Sequence, residues 1–254
     1  DGGAVPEVFI NADGVKKSIS SPGPGNYLCF AKAVAAARSI LGEHAVRQRS
    51  FVMAHGSSTP QNRVTESLIL DRIAEAFGIE SWPVCAVKAY VGHSLAPASG
   101  DQIMAAIGAL RHGWLPGVKT VGAIANDVHQ KRLHIPLADW NLSHRGSDIA
   151  FINAKGFGGN NATGVLFSAA VARRMVERRN RAGWGDYCQR RDQTRAVAVA
   201  YETCADRGEL TPIYRFGEGV IDDAEVLISD SALSVPGFGK AVAYDTRNPY
   251  ADML

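Results

Sequence analysis

The chain has 254 residues, 46% of them hydrophobic and 20% charged, which is an ordinary composition for a globular protein. A formal net charge of +2 is too small to argue for nucleic acid as the partner. No apolar run approaches the ~18 residues that span a bilayer, so no membrane partner is expected either. The four cysteines, Cys29, Cys85, Cys188 and Cys204, form no CxxC pair, and no His/Cys cluster has zinc spacing. That scatter predicts no metal and a reducing, cytoplasmic setting. The chain opens on Asp1 and enters a strand-like run almost at once, which fits a processed or excised chain or one half of something larger.

Val5–Ala12 is short, apolar and bounded by Pro6 and Asp13-Gly14, a buried-strand pattern. A Pro/Gly/Ser-rich loop over 13–25 follows. Asn26 is placed to cap an alanine-rich helix from Tyr27 to Leu41, with Gly42 as its stop. The run Ser50-Phe51-Val52-Met53-Ala54 predicts a strand that delivers His55 to its end. A helix then starts at Thr59 or Asn62 and reaches Phe77, with Leu68, Ile69, Ile73, Ala76 and Phe77 as its apolar stripe and Gly78 as its stop. Val84–Val87 predicts a third strand, delivering Lys88, and Ser99–His112 a small-residue helix stopped by Gly113.

A strand is expected at Lys119–Ala123 and irregular chain at 125–147. Two strands, 148–153 and 163–167, flank the glycine-rich run Gly156-Phe157-Gly158-Gly159-Asn160-Asn161. Alternating strands and helices make the fold class α/β, with His55, Lys88 and Gly156 all at strand ends, where active groups of such folds gather. From Ala169 the pattern changes. Two arginine-rich helices, Ala169–Arg181 and Asp186–Arg207, precede two strand-like pieces at Ile213–Val220 and Glu225–Ser231. The expected organisation is therefore 1–168 as one domain and 169–254 as an α+β extension.

Histidines at strand ends suit general bases, ligands or hydrogen-bond donors to an oxyanion, and suit equally a packed core histidine. The flanks favour chemistry: His55 precedes Gly56-Ser57-Ser58-Thr59-Pro60, and His93 follows Gly92, which permits a tight turn. The arginines read either as a solvated face or as a docking surface for an acidic protein.

Three ordered blocks resemble the β-ketoacyl-acyl carrier protein synthases, the thiolase-fold condensing enzymes. His55-Gly56-Ser57-Ser58-Thr59-Pro60 matches the first with one Thr-to-Ser change, Lys88, Gly92 and His93 match the second, and Gly156–Asn161 matches the third with Asn160 for Thr. The likeness covers about residues 8–168 and implies the C-terminal half of the condensing fold, a mixed sheet covered by helices. It implies decarboxylative Claisen condensation of malonyl-acyl carrier protein with an acyl thioester. His55 and His93 would hold the enolate, Lys88 would tune the site, and Glu66 would be the lysine's acidic partner. Ser57 and Thr59 would contact the phosphopantetheine arm. Phe157 would gate the site, with Gly156 and Gly158 allowing loop movement. The implied partners are acyl carrier protein, an N-terminal half bearing a cysteine nucleophile and, for the complete enzyme, a second copy; no cofactor is implied beyond the arm that the carrier brings.

Three departures stand out. Arg63 replaces an acidic residue, and Lys155 replaces Phe, either at an acyl-pocket mouth or on the surface. No cysteine of the chain sits in the nucleophile's setting, so this chain is expected to be inactive alone. The rival readings are a non-catalytic subunit like the chain-length factors and a module that only docks carrier protein. The tail past 168 also suits an initiating enzyme.

Overall fold

The computed structural model describes residues 2–14, 23–211, 213 and 216–253. Two compact units divide the chain, Asp1–Trp184 and Gly185–Leu254. In the first, the elements run β1 (Gly3–Ala4), β2 (Val8–Ala12), α1 (Pro24–Gln48), β3 (Ser50–Met53), α2 (Pro60–Phe77), β4 (Trp82–Cys85), a single helical turn α3 (Lys88–Val91) and α4 (Ala98–His112). Then come β5 (Trp114–Leu115), β6 (Leu133–His134), β7 (Trp140–Asn141), β8 (Ile149–Lys155), β9 (Asn160–Ser168) and α5 (Ala169–Arg179). The second unit holds nearly all of α6 (Trp184–Asp206) and a small antiparallel sheet of β10 (Leu227–Ile228), β11 (Ala232–Ser234) and β12 (Val242–Ala243).

The main sheet has the order β1-β9-β8-β3-β4-β6, with β2 also on β9. Strands β8, β3, β4 and β6 are parallel, while β8–β9 is an antiparallel hairpin that turns at residues 156–159. The period of two sorts side chains to the two faces. Val52, Ile149, Phe151, Val165 and Phe167 meet Phe30, Val34, Ile69 and Ile73 of α1 and α2. Phe51, Met53, Ala150, Ile152 and Leu166 meet Ala106 and Ala109 of α4. All four residues of β3 are buried, as a central parallel strand with both faces covered requires.

Several expectations are corrected. The long helix starts earlier, at Pro24, so Asn26 lies inside it and is buried instead of capping it. Gly42 breaks the helical path at φ 84°, but the chain resumes helix to Gln48. Residues 119–123 form turns and bends instead of a strand, held through Lys119–Asp139 and Tyr90–Gly117. Part of the loop expected at 13–25 lies outside the described residues, as do 214 and 215 of the strand expected at Ile213–Val220; residues 216–219 form turns and bends. Within 225–231 only Leu227–Ile228 is extended.

The outer face of α1 carries Lys32, Arg38, Ser39, Glu43 and His44, as a solvated helix should. The outer face of α4 does not. It presents Gly100, Met104 and Gly108 at helical spacing, flanked by Ile103 and Ile107, which are partly buried against the core; Met104 is 70% exposed, and both glycines look onto open space. An apolar stripe of this kind marks an interface. The isolated chain is therefore expected to self-associate, and Met104→Lys to shift it toward monomer in sedimentation. A wild-type chain that stays monomeric at high concentration contradicts this.

Candidate active site

Strand β3 ends at Met53 and β4 at Cys85, and both run parallel to β8, so their carboxyl ends open side by side. This brings together His55 from the end of β3, Lys88 and His93 from around α3, and Lys155 and Gly156 from the end of β8. The two imidazoles lie 5.3 Å apart between ring centroids, edge to face at 80°. Two donors that close can meet one oxygen at ~3 Å each.

Each ring is held by a main-chain N–H on its Nδ1: Lys155 N donates to His55 Nδ1 (3.3 Å) and Leu95 N to His93 Nδ1 (3.1 Å). In a neutral imidazole the proton then resides on Nε2. His55 Nε2 is buried and has no hydrogen-bond partner among the described residues. Burial, with Lys88, His93 and Lys155 nearby, pushes the His55 pKa down to about 4 against the pull of Glu66. Burial and Lys88 lower His93 as well. Both rings are thus neutral N–H donors near pH 7.

Glu66 reaches the site from the buried face of α2. Its carboxylate accepts from His55 N (2.7 Å), Gly56 N (2.9 Å), Asn62 Nδ2 (3.1 Å) and Asn153 Nδ2 (2.7 Å). Burial pushes the Glu66 carboxyl up, but His55, the Gly56 N–H, Lys155 and Asn153 outweigh it and hold it below the ordinary range. Lys88 donates to His55 O at 2.5 Å, so lysine and glutamate grip the same peptide from two sides instead of pairing directly. Burial lowers the Lys88 pKa, partly offset by Glu66 and Asp101.

The turn so held is strained. Gly56 has φ 55°, and a Cβ there would meet Ala86 Cβ at 2.9 Å. Among the described residues only Ser58 (φ 61°) and Leu95 (φ 64°) are left-handed without being glycine, and they sit three and two residues past the two histidines. Such backbone persists where surroundings over-determine it, as at functional sites.

Two cavities flank the pair. One of about 260 Å³ is lined by His55, His93, Leu95, Lys155 and Gly156. A larger one of about 530 Å³ is lined by Ser57, Glu66, Lys88 and His93 together with α2 and the segment 118–137. Ser57 thus lines a cavity, whereas Thr59 occupies the N-cap position of α2, exposed and lining neither. Phe157 is 82% exposed on the β8–β9 turn, where Gly158 adopts φ 77°. Lys155 is buried, which settles its placement against the surface reading. Arg63 pairs with Asp127 through two 2.8 Å bonds. The α5 arginines begin past Ser168, ~26 Å of strand from Asn160 at ~3.3 Å per residue, which removes the start of that helix from the site's vicinity.

Sequence reasoning missed Gln102, Asn153, Asn26 and Asn62. Gln102 Nε2 meets the main-chain oxygens of Met53, Ala54 and Asn153, tying the ends of β3 and β8 together just before His55 and Lys155. Asn153 Oδ1 accepts from Asn26 and Thr163 while its amide serves Glu66. A buried polar residue on an otherwise apolar face was the available signal.

The depressed His55 pKa has a consequence for stability. A histidine titrates near 6.5 when unfolded and near 4 here, so the folded state binds fewer protons between those values. Stability then rises with pH through that window and is lost as pH falls through it. From pH 7 to pH 5 the loss is about 2 kcal/mol if His55 acts alone. Urea midpoints at those two pH values should differ in the wild-type chain and much less in His55→Gln; equal slopes in both would refute the assignment.

The family described as beta-ketoacyl synthase, C-terminal domain, matches residues 3–122. The chain is 54% identical over 253 residues to the beta-ketoacyl-[acyl-carrier-protein] synthase FabY of Pseudomonas aeruginosa, covering 99% of this chain and 40% of that protein. It is 32% identical over 120 residues to 3-oxoacyl-[acyl-carrier-protein] synthase 1 of Escherichia coli, 46% of this chain and 27% of that one. The crystal structure of the P. aeruginosa ketosynthase FabY superposes with a TM-score of 0.91 over 100% of this chain and 40% of its own. A ketosynthase of the Bacillus amyloliquefaciens bacillaene polyketide synthase shares the fold, with a TM-score of 0.55 at 20% identity over 66% of this chain and 30% of its own. The chain thus spans about two fifths of the length of FabY. With its three sequence blocks gathered around one pair of histidines on this sheet, the chain belongs to the β-ketoacyl synthase family of thiolase-like condensing enzymes.

Proposed function

We propose that this chain is the C-terminal part of a β-ketoacyl-acyl carrier protein synthase of fatty-acid biosynthesis, supplying the His/Lys/His half of the site but not the nucleophile. The observation that carries the reading is the pair of neutral imidazoles, 5.3 Å apart, each with Nδ1 occupied by a main-chain N–H and Nε2 left to donate.

In this reading malonyl thioester loses its carboxylate as CO2. The electron pair of the broken C–C bond moves into the thioester and places negative charge on its oxygen. Nε2–H of His55 and of His93 meet that charge without having to transfer a proton, and preorganised donors of this kind lower the barrier most. The enolate carbon then attacks an acyl thioester held on a cysteine, whose thiolate departs. Lys88 and Glu66 hold the His55 peptide, and Ser57 lies where the arm of the carrier protein would pass.

The buried cysteines support a nucleophile from outside this chain. Cys29 and Cys85 are both buried, and burial raises both thiols, Cys85 to about 12. Neither lines a cavity flanking the histidines. Cys188 and Cys204 belong to α6 of the other unit. The open stripe on α4 and the exposed Phe157 are surfaces that a cysteine-bearing N-terminal half would cover. The complete enzyme is proposed as a cytoplasmic homodimer acting on acyl carrier protein, without metal or redox cofactor; among the described residues no helix is long and apolar enough to cross a membrane.

The test is direct. The 254-residue chain mixed with malonyl- and acyl-carrier proteins should release neither CO2 nor a β-ketoacyl product, while the longer polypeptide should release both. Turnover by the chain alone would overturn the missing nucleophile. Silence of the longer polypeptide would overturn the function.

A further inference from the structure

Lys155 is the last residue of β8 and pairs with Asn161 of β9. Its main-chain N–H holds the His55 ring. The residue is only 6% exposed, yet it lines the smaller cavity together with both imidazoles. That lining also includes Ile10, Leu95, Ala96 and Ala98, whose side chains offer an ammonium group nothing polar. Taking a cation out of water is costly unless anions offset it. The condensing enzymes that this chain resembles carry phenylalanine here, so packing alone would be served without the charge.

The charges around the two rings do not cancel. The groups acting on His55 are one acid, Glu66, two lysines, Lys88 and Lys155, and the neutral His93. Glu66 feels the Lys155 charge, but its carboxylate already accepts four hydrogen bonds, about as many as its lone pairs provide for. A further acid near Lys88, Asp101, accepts from Ser94 in an exposed contact, where solvent screens it. Among the described residues, then, two ammonium groups stand against one buried carboxylate around a pair of neutral imidazoles. Such a site is matched to a substrate that brings one negative charge.

We infer that the Lys155 ammonium binds the carboxylate of the malonyl group, beside the two imidazoles that meet its thioester oxygen. The inference rests on the proposed condensation and adds to it a residue for the group that leaves. The malonyl carboxylate brings the one negative charge that the site lacks. When the C–C bond breaks, its electron pair moves into the thioester, and the charge reappears on the oxygen facing His55 and His93. The carboxylate departs as neutral CO2, on which the ammonium has no ionic hold. Lys155 keeps its proton throughout. A strand end is a rigid mount, and the same residue's N–H fixes His55, so carboxylate anchor and oxyanion donor are set against each other.

The test compares two pantetheine amides on the longer polypeptide by calorimetry. One carries a malonyl and the other an acetyl group, with nitrogen in place of the thioester sulfur so that the carboxylate stays on. The wild type is expected to bind the malonyl amide about tenfold or more tightly than the acetyl amide, the usual size of a charge-assisted hydrogen bond. Lys155→Met should erase that preference and leave acetyl-amide affinity unchanged. Lys155→Gln, which keeps a polar donor in the cavity, is the second variant should methionine misfold. A lysine with only a structural role would weaken both amides together and leave their ratio as it was. A wild type without preference, or a folded variant that keeps the wild-type ratio, would each overturn the inference. Failure of the wild-type polypeptide to condense falls on the proposed function; condensation with a ratio that Lys155→Met leaves unchanged falls on this inference alone.

Discussion

In the longer polypeptide, His93→Ala is expected to slow malonyl decarboxylation by about a hundredfold or more. In the proposed mechanism the ring supplies one of two N–H donors to the oxygen that becomes charged, and alanine leaves no donor in its place. His93 is exposed and its Nδ1 is tied only to the N–H of Leu95 two residues on, so its removal should leave the fold intact and the loss should fall on rate. The buried partner differs. His55 Nδ1 also receives the Lys155 N–H, so His55→Ala removes a catalytic donor and leaves a buried N–H unpaired, costing rate and stability together. The discriminating measurement is CO2 release from malonyl-carrier protein alongside a urea curve for each variant. A His93→Ala enzyme within fivefold of wild type would remove this ring from the oxyanion site.

Replacing Glu66 by alanine is expected to destabilise the chain by roughly 3–5 kcal/mol, the cost typical of removing one partner of a buried charge network. Four N–H donors converge on this carboxylate. The amides of Asn62 and Asn153 can rotate toward other acceptors, but the main-chain N–H groups of His55 and Gly56 cannot, and each orphaned buried donor costs about 1–3 kcal/mol. Because those two peptides shape the left-handed turn at Gly56 and Ser58, the histidine should also lose its placement. Glu66→Gln keeps the volume but turns one acceptor into a donor among donors, so it should fall between wild type and alanine. Urea midpoints decide the matter; a loss below about 1 kcal/mol for Glu66→Ala would mean that the network contributes specificity and not stability.

Much of this architecture was legible without coordinates, because its cause is local. The runs 50–54, 148–153 and 163–167 are short and largely apolar, and the strands form over them with ends shifted by one to three residues; the period of two dictates which side chain meets which helix. Gly78 and Gly113 end α2 and α4 in the left-handed conformation that favours glycine (φ 68° and 72°). The histidine, lysine and glycine blocks were visible as motifs, and parallel strands brought their ends together. Failures came where neighbours in space decide. Residues 119–123 have strand composition, but Asp139 and Tyr90 bind Lys119, where the chain turns. Asn26 has cap chemistry, yet the helix begins at Pro24 and Asn153, 127 residues away, takes the amide. The apolar-stripe rule marked Ile69 and Ile73 on α2 but gave no warning that Asn62 and Glu66 occupy the same buried face.

The sequence by itself pointed to most of the main strands and helices and to the side chains expected to be reactive, since these follow from side-chain periodicity and chemistry along one strand or helix. Only the tertiary structure decided which imidazole nitrogen is free and that Lys88 and Glu66 share a peptide. It also decided that Lys155 is buried and that a cavity lies beneath 118–137. Each of these depends on hydrogen bonds and packing between segments tens of residues apart, where small free-energy differences, not local preference, choose the partner.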